Sequence, residues 1–259
     1  MTILSWNIAG LRSKMQDLSW INFIQSFSII CLQETWDVSG KHNLDGFVHF
    51  FKPALKGDMG RAKGGLSTLI STTLSCTVLE KEVESSNCLL IELSFSNMHS
   101  LLILNIYNPG ASDQGNSLIK ILKDLLIEIQ ISSTHLTAKR GLVLAGDLNI
   151  HLCRVYCPQG SSFTQMGLYD WLHFEHTPQR TLLNELMVDL GLCILQECSG
   201  PSLPTFIGRS CQTQIDYILV PQRDRQLFSD TKSVWTGWSD HNPIYTRYLE
   251  AVLTHDKTA

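Results

Sequence analysis

The chain has 259 residues, 44% hydrophobic and 17% charged, with a formal net charge of -4 and an isoelectric point near 6.1. This composition is typical of a globular protein, and it excludes one that holds nucleic acid mainly through excess positive charge. It does not exclude a nuclease, because the carboxylates of a metal site lower the net charge. With no basic-then-apolar leader, no apolar run of membrane-spanning length and no zinc-site spacing among the eight cysteines, we expect reduced thiols in an intracellular protein without membrane contact.

The first segment predicts two parallel strands joined by a helix. Thr2–Asn7 is a strand that ends on an amide, and 28–34 is a second buried strand that ends on the carboxylate of Glu34. Between them an apolar stripe predicts an amphipathic helix through Met15, Leu18, Ile21, Ile24 and Phe27. Because a strand–helix–strand unit makes its strands parallel, Asn7 and Glu34 are expected at the same edge of the sheet.

The middle of the chain predicts antiparallel hairpins and then a second helix. Strand-like runs with short turns between them cover 46–51, 65–71, 74–82, 88–95 and 101–107. The last run ends on Tyr107, before the stop that Pro109 and Gly110 impose. The second helix presents one apolar face, formed by Leu118, Ile121, Leu122, Leu125 and Ile129.

The stretch 141–149 is an apolar run that ends in Gly-Asp-Leu-Asn, and it predicts a strand buried on both faces. Gly146 permits a turn or a close approach of the backbone. Asp147 and Asn149 stand one pleat apart, so an extended chain points both to the same side. Such a pair suits a site that positions water and phosphate oxygens, and a strand exit with an Asx turn is the plainer interpretation.

The last third predicts a helix over 179–190, a strand over 192–196 and a strand over 214–220 that carries Asp216. Asp240 and His241 then precede a final strand. Polar side chains therefore stand at the ends of many predicted strands: Asn7, Glu34, Tyr107, Asp147, Asn149, Asp216, Asp240 and His241. Each of these eight residues alone could have a structural role in a turn, a cap or an ion pair. A common functional site explains all eight together better than eight unrelated roles do.

The chemistry that fits this set is metal-assisted hydrolysis of a phosphoester. Mg²⁺ prefers carboxylate and amide oxygens, which Glu34, Asn7 and Asp240 offer. Asp147 would orient or deprotonate water, with Asn149 fixing it. No Cys or Ser stands in a nucleophile motif, so direct attack by water is expected.

The remaining groups suit the phosphate. His241, if charged through pairing with Asp216, would hold a phosphoryl oxygen, and Tyr107 would contact the phosphate or help the leaving oxygen. A basic loop with Lys52, Lys56, Arg61 and Lys63 is either a phosphate contact or a solvated charged loop.

Six motifs occur in the order of the endonuclease/exonuclease/phosphatase superfamily: Ser-Trp-Asn-Ile-Ala-Gly-Leu-Arg at 5–12, Leu-Gln-Glu-Thr at 32–35, Tyr-Asn-Pro at 107–109, Gly-Asp-Leu-Asn at 146–149, Ile-Asp-Tyr-Ile at 215–218 and Ser-Asp-His at 239–241. The resemblance covers Ile3 to about Tyr248. It implies a DNase-like α/β fold, a four-layer sandwich of two packed mixed β-sheets flanked by helices, with the site at one edge.

Within the superfamily the chain most resembles the apurinic-type endonuclease domain of LINE-type (non-LTR) retrotransposons. Tyr107 stands where other branches carry a His motif, and Thr205 precedes Asp216 in a nuclease-like segment. The resemblance implies a DNA endonuclease that uses Mg²⁺, or Mn²⁺, and leaves a 3′-hydroxyl and a 5′-phosphate. It also implies substrate contacts from Thr205, Ser239 and Arg209, the last near the tip of a hairpin over 207–213 that probes the DNA groove.

The resemblance assigns the other roles residue by residue. Glu34 is the metal ligand with Asn7 beside it, Asp147 serves the attacking water with support from Asn149, and His241 binds phosphate while Asp216 orients it. Ala9 stands where many cellular apurinic endonucleases carry an acid, which argues against a second metal-binding carboxylate and against efficient abasic-site repair.

We expect one domain over 1–250 and a C-terminal tail over 251–259, because no linker or charge block divides the chain. The expected partner is DNA, bound by a monomer in the nucleus. No reverse transcriptase follows the last motif, so the chain is either an excised domain of a longer polyprotein with that enzyme or a standalone copy. The alternatives are a phosphatase or phosphodiesterase of a small or lipid phosphoester and an inactive DNA-binding relic.

Overall fold

The structure, a computed structural model, describes residues 1–57, 60, 62–95, 99–110, 113–134, 140–152, 178–196, 204–208 and 212–249. Its first elements are β1 (Thr2–Asn7), α1 (Leu11–Lys14), α2 (Leu18–Gln25), β2 (Ile29–Gln33), β3 (Phe47–Lys52), β4 (Leu55–Lys56), β5 (Ala62–Lys63), β6 (Leu66–Ser71), β7 (Cys76–Lys81) and β8 (Cys88–Phe95). The others are β9 (Ser100–Tyr107), α3 (Asp113–Thr134), β10 (Arg140–Asp147), α4 (Pro178–Asp189), β11 (Leu192–Ile194), β12 (Phe206–Ile207), β13 (Gln212–Thr213), β14 (Asp216–Pro221), β15 (Lys232–Ser233) and β16 (Ile244–Arg247).

Twelve of these strands form two mixed sheets of six strands each. The first sheet has the order β15-β16-β1-β2-β6-β3, and the second has the order β11-β14-β10-β9-β8-β7. Each contains one parallel pair, β1 with β2 and β9 with β10, and its other pairs are antiparallel. Helices connect the strands of each parallel pair, as parallel crossovers require. The predicted parallel pairing of the first two strands is confirmed.

The two sheets pack face to face, and helices cover their outer faces. In β10, Val143 and Ala145 lie in the core between the sheets, whereas Leu142 and Leu144 pack on the side of α3 and α4. On the opposite outer face, Trp20 of α2 packs against the first sheet. Central strands are apolar on both faces because both faces are covered. The predicted four-layer α/β sandwich is confirmed, and no helix in the described ranges has the length and apolar character to cross a bilayer.

For the first predicted helix, the predicted start and one of the predicted buried residues are wrong. Instead of one helix through 15–27, the chain forms short α1 and then starts α2 at Leu18. Asp17 caps α2, because its carboxylate accepts the backbone N–H of Ser19 at 2.8 Å and of Trp20 at 3.3 Å. Leu18 is 74% exposed while Trp20 is buried. An apolar repeat of three residues drifts off the 3.6-residue period of a helix.

Four cysteines fall within the described ranges, and all four are free thiols: Cys31, Cys76, Cys88 and Cys193. Burial raises the pKa of Cys31 and of Cys88 to about 12, so these two thiols stay protonated and unreactive. The expectation of structural thiols agrees with this part of the chain, and the other cysteines lie outside the described residues.

A buried polar bridge joins the two sheets near one edge. The side-chain oxygen of Asn105 in β9 accepts the amide N–H of Gln33 in β2 at 2.7 Å. The Asn105 amide donates to the carbonyls of Leu32 and Ser67 at 3.2 and 3.0 Å, and Gln33 also donates to the hydroxyl of Ser5 at 3.3 Å. A buried polar group left without its partner is costly, so this bridge fixes the sheets relative to each other close to the ends of β2 and β9.

The backbone of β10 leaves no room for a side chain at Gly146. A Cβ there would lie 1.9 Å from the carbonyl oxygen of Ile106 in β9. We predict that Gly146→Ala lowers the free energy of unfolding by about 2 kcal/mol or more, because rigid backbone must shift. Denaturant unfolding measures this loss. Gly141→Ala is the matched control in the same strand, since its Cβ would meet the flexible end of Leu101 at 2.9 Å and should cost less. Equal losses in the two variants would contradict this explanation.

Candidate active site

Strand ends from both sheets meet at one edge of the sandwich. β1 and β2 run parallel and in register, so Asn7 and Glu34 leave the first sheet together. In the second sheet, Asp147 pairs with Tyr107 on one side and with Asp216 on the other. The pairing therefore places these residues side by side: Tyr107 and Asp147 end parallel strands, and Asp216 begins an antiparallel one.

Asp147 receives hydrogen bonds from both sheets. The side-chain amide of Asn7 donates to Oδ2 at 2.9 Å. The backbone N–H of Asn149 donates to Oδ1 at 2.8 Å, and its side-chain amide donates to Oδ2 at 3.3 Å. That amide also donates to the carbonyl of Asn108 at 2.7 Å. Asp147 is only 1% exposed, so these bonds fix the direction of its carboxylate.

His241 lies beside Asp147 and is paired with Asp216. Its Nδ1 is 2.9 and 3.1 Å from the two oxygens of Asp216, and its Nε2 is 4.0 Å from Oδ2 of Asp147. Burial alone lowers the pKa of His241, but the charge and hydrogen bond of Asp216, together with Asp147 and Asp240, raise it to about 9. The ring is therefore an imidazolium at neutral pH, and its Nε2–H is a charged donor on the side of Asp147.

The buried charges around His241 also shift the pKa of Asp147. Burial and then the negative charge of Asp216 raise the pKa of Asp147 to about 8, while His241 and the hydrogen bonds from Asn7 and Asn149 act in the opposite direction. The ligand atoms of Asp147, Asp216 and His241 all lie within 4.8 Å of one another. A carboxylate in these surroundings exchanges its proton near neutral pH, and a nearby cation would stabilise its charged form.

Glu34 follows β2 in a turn with left-handed backbone. Its φ is 49°, and that of Trp36 is 53°. Tyr107 donates its hydroxyl to Oε1 of Glu34, and the indole N–H of Trp36 donates to Oε2 at 3.3 Å. Burial, followed by the hydrogen bond and charge of Glu34, raises the pKa of Tyr107, so the phenol keeps its proton. Tyr107 thus holds Glu34, and its contact with phosphate stays a prediction.

The side chains beside Glu34 fit a divalent cation that prefers oxygen. Within the described ranges, Glu34 forms no ion pair with a Lys, Arg or His nitrogen, so neutral donors orient it and its charge stays uncompensated. Asn7 ends the neighbouring strand and offers an amide oxygen. Exposed Asp240 accepts a hydrogen bond from Ser239 at 3.3 Å, and its predicted metal contact stays a prediction. Mg²⁺ and Mn²⁺ bind such donors together with water. His241 fits poorly as a ligand, because an imidazolium already hydrogen-bonded to Asp216 has no free lone pair.

The loop of Ser239, Asp240 and His241 is tied to the first sheet. The hydroxyl of Ser239 donates to the carbonyl of Asn7 at 2.9 Å, with Asp240 Oδ1 as a second acceptor of the same hydrogen at 3.3 Å. Its oxygen accepts the backbone N–H of His241 at 3.2 Å. Ser239 therefore sets where His241 stands relative to Asn7. Its predicted contact with substrate stays a prediction.

Thr205 is fully buried, and its hydroxyl oxygen accepts the backbone N–H of Ile215 and of Asp216 at 3.0 Å each. In this position Thr205 fixes the start of β14 and with it the backbone of Asp216. Its predicted contact with phosphate stays a prediction, and Arg209 lies outside the described residues.

Two features of the site were not predicted from the sequence. One is the hydrogen bond from Trp36 to Glu34, and the other is the burial of the Lys14 ammonium. Lys14 donates to the carbonyl of Gly10 at 3.3 Å; burial lowers its pKa and the charge of Asp240 raises it. Trp36 directly follows the motif at 32–35, which is the one signal the sequence offered for it. Lys14 lies in a short helix with another basic residue, a pattern typical of a solvated surface.

Sequence comparison finds a family and one curated relative. The sequence pattern of the Endonuclease/Exonuclease/phosphatase family matches residues 4–241. An exodeoxyribonuclease of Bacillus subtilis (strain 168) is 27% identical over 155 residues, which are 58% of this chain and 59% of that protein. The match thus spans less than two thirds of the relative.

Solved structures share the fold over nearly the whole chain. The AP endonuclease LMAP from Leishmania major has a TM-score of 0.74 and 18% identity, covering 95% of this chain and 86% of that one. The 3′-5′ exonuclease NExo from Neisseria meningitidis has a TM-score of 0.67 and 18% identity, covering 96% and 100%. The endonuclease domain of TRAS1, a telomere-specific non-LTR retrotransposon, has a TM-score of 0.63 and 16% identity, covering 96% and 97%. The chain belongs to the endonuclease/exonuclease/phosphatase family, whose members are hydrolases of phosphoester bonds.

Proposed function

We propose that this chain is a Mg²⁺-dependent DNA endonuclease that hydrolyses a phosphodiester to a 3′-hydroxyl and a 5′-phosphate. One observation carries the proposal: buried Asp147, held by two asparagines, faces the charged Nε2 of His241 at 4.0 Å. Hydrolysis by water requires a carboxylate that serves the water and a donor for the phosphoryl oxygen.

The contacts of each group set its proposed task. Asn7 and Asn149 direct the carboxylate of Asp147, which takes a proton from the attacking water as its oxygen bonds to phosphorus. The bond from phosphorus to the 3′-oxygen breaks, and that oxygen takes a proton from solvent. Against the effect of burial, the charge of His241 and the hydrogen bonds from Asn7 and Asn149 lower the pKa of Asp147, and so favour the ionised form that a general base requires. His241 keeps its Nε2–H because Asp216 holds the other ring nitrogen, so it donates to the phosphoryl oxygen whose charge grows in the transition state.

Enzymes of this family depend on a divalent metal ion, which Glu34, Asn7 and Asp240 would hold here. When bound, the ion would neutralise charge on the phosphate and the leaving oxygen. We propose Mg²⁺ because the donors are oxygens, and Mn²⁺ would share the site.

DNA is the proposed substrate because the names of the similar proteins describe nucleases. The curated relative is an exodeoxyribonuclease, and the similar structures include an AP endonuclease and a retrotransposon endonuclease domain. With a net charge of -4, phosphate contacts must come from local basic residues. Two exposed basic residues near the site could serve this purpose. Arg12 lies five residues after the end of β1, and Lys63 precedes Gly64, whose carbonyl accepts the backbone N–H of Trp36.

The finer proposal is nicking of a target site by a non-LTR retrotransposon. The motif with Tyr107 and the TRAS1 neighbour support it. In this role the new 3′-hydroxyl would prime a reverse transcriptase domain of the same polyprotein in the nucleus.

A plasmid assay tests the nuclease activity. We expect the purified chain to convert supercoiled plasmid to open circles with Mg²⁺ and not with EDTA. Asp147→Asn and His241→Gln should each slow nicking by about 10²-fold or more, because they remove the base or the charged donor. Gel electrophoresis of the plasmid over time gives the rates.

The matched control is Asp189→Asn, at a surface carboxylate that pairs with Lys123 at 3.2 Å. It should nick like the parent. Equal nicking in EDTA, or a parent rate in Asp147→Asn, would contradict the assignment. Intact plasmid together with phosphate release from a small phosphoester would favour the phosphatase alternative.

The charge on His241 makes a pH-dependent prediction. Asp216→Asn keeps the imidazole buried but removes the charge that raises its pKa, so the pKa should fall from about 9. NMR titration of the ring measures it. Because the folded-state pKa lies above the ordinary 6.5, this group stabilises the fold fully below pH 6.5 and less as pH rises through 9. The free energy of unfolding should therefore fall more over this range in the parent than in Asp216→Asn. A parent ring that titrates near 6.5 would refute the pairing.

A further inference from the structure

Trp36 is held in one orientation by contacts on several sides. Its backbone N–H donates to the carbonyl of Gly64 at 3.0 Å. Its indole ring lies against Gly10, where a Cβ would be 2.5 Å from ring atom Cε3. The N–H of Gly10 in turn donates to the carbonyl of Glu34 at 2.8 Å. Only glycine at position 10 admits the ring, so the β1–α1 loop and the turn after β2 form one packed unit.

The polar end of this ring reaches the Glu34 carboxylate. The indole N–H donates to Oε2 at 3.3 Å while the Tyr107 hydroxyl donates to Oε1. Each carboxylate oxygen thus has one neutral donor. A Lys or Arg in place of Trp36 would orient the carboxylate equally well but would cancel its charge, whereas two neutral donors leave the full negative charge for a cation.

The backbone at this turn is strained in a way that the contacts of Trp36 explain. Glu34 and Trp36 both have left-handed φ values, of 49° and 53°. Such conformations are unfavourable for a non-glycine residue and persist where the surroundings impose them. The bond from Trp36 to Gly64 and the packing of its ring on Gly10 hold this turn, from which the Glu34 side chain leaves.

We propose that Trp36 is a positioning residue, which holds the Glu34 carboxylate in the orientation that binds a divalent metal ion and thereby raises metal affinity. The inference rests on the proposed function in one respect, the assignment of Glu34 as a metal ligand.

Direct metal binding tests the inference without DNA. Trp36→Phe removes the indole N–H and keeps an aromatic ring in the turn. We expect it to bind Mn²⁺ about tenfold more weakly than the parent, as is usual when a partner of a metal ligand is lost. Electron paramagnetic resonance of free Mn²⁺ during a titration gives the affinity. In the nicking assay, the Mn²⁺ concentration for half-maximal rate should rise by the same factor, with kcat at saturating metal nearly unchanged.

Trp235→Phe is the control for the loss of an indole N–H elsewhere, because the Trp235 side chain is 62% exposed. It should bind Mn²⁺ like the parent. Thermal unfolding in EDTA shows whether each variant folds. If Trp36→Phe does not fold, Mg²⁺ titration of the ¹⁵N-labelled parent replaces it: the indole N–H signal of Trp36 should shift with metal, and that of exposed Trp235 should not.

Equal Mn²⁺ affinity in parent and Trp36→Phe, or a Trp36 indole signal that Mg²⁺ leaves unmoved, would overturn the inference. A parent that binds no Mn²⁺ would overturn it too, together with the metal role of Glu34. A parent that binds Mn²⁺ in a manner dependent on Trp36 and yet leaves DNA intact would reject the nuclease proposal alone.

Discussion

The relative position of the two β-sheets is the constraint on which the candidate site depends. Three side-chain pairs cross from one sheet to the other at the site edge: Asn7 with Asp147, Glu34 with Tyr107, and His241 with Asp216. Facing sheets lie about 10 Å apart, so short side chains meet between them only in one sheet-to-sheet arrangement. The apolar core fills the space between the sheets, and the amide bridge of Gln33 and Asn105 fixes their registry close to these pairs. Stability and the geometry of the site therefore depend on the same packing.

Backbone strain is concentrated at the same edge. In the part of the chain that the structure describes, four non-glycine residues have left-handed φ: Ala9, Glu34, Trp36 and Asn149. Each stands within three residues of the end of a strand that carries a site residue. A strand that simply ended in a relaxed turn would not need this geometry. The strain turns side chains toward a common point, and hydrogen bonds such as that from Asn149 to Asp147 hold them there.

The shared edge could be predicted because it follows from local patterns, whereas the four-layer sandwich was an expectation from the family resemblance. Apolar runs mark buried strands, and a helix between two of them makes them parallel, which was enough to place Asn7 beside Glu34. Contacts between sheets carry no local pattern, so the bond from Asn7 to Asp147 could not be foreseen. Thr205 shows the same limit, since a motif marks its importance while its burial depends on the fold around it. The break at Asp17 is different: a capping side chain overrode the apolar spacing.

The two ends of the site differ in how their charges are compensated, and this difference would orient the substrate. At one end, His241 and Asp216 form a compensated pair that presents a positive donor. At the other end, neutral donors hold Glu34, which presents an unpaired negative charge among the described residues. Asp147 lies next to His241, and Asn7 links it to the strand beside Glu34. A phosphodiester with a metal ion on one oxygen and His241 on another would match both ends, with the water of Asp147 at its phosphorus.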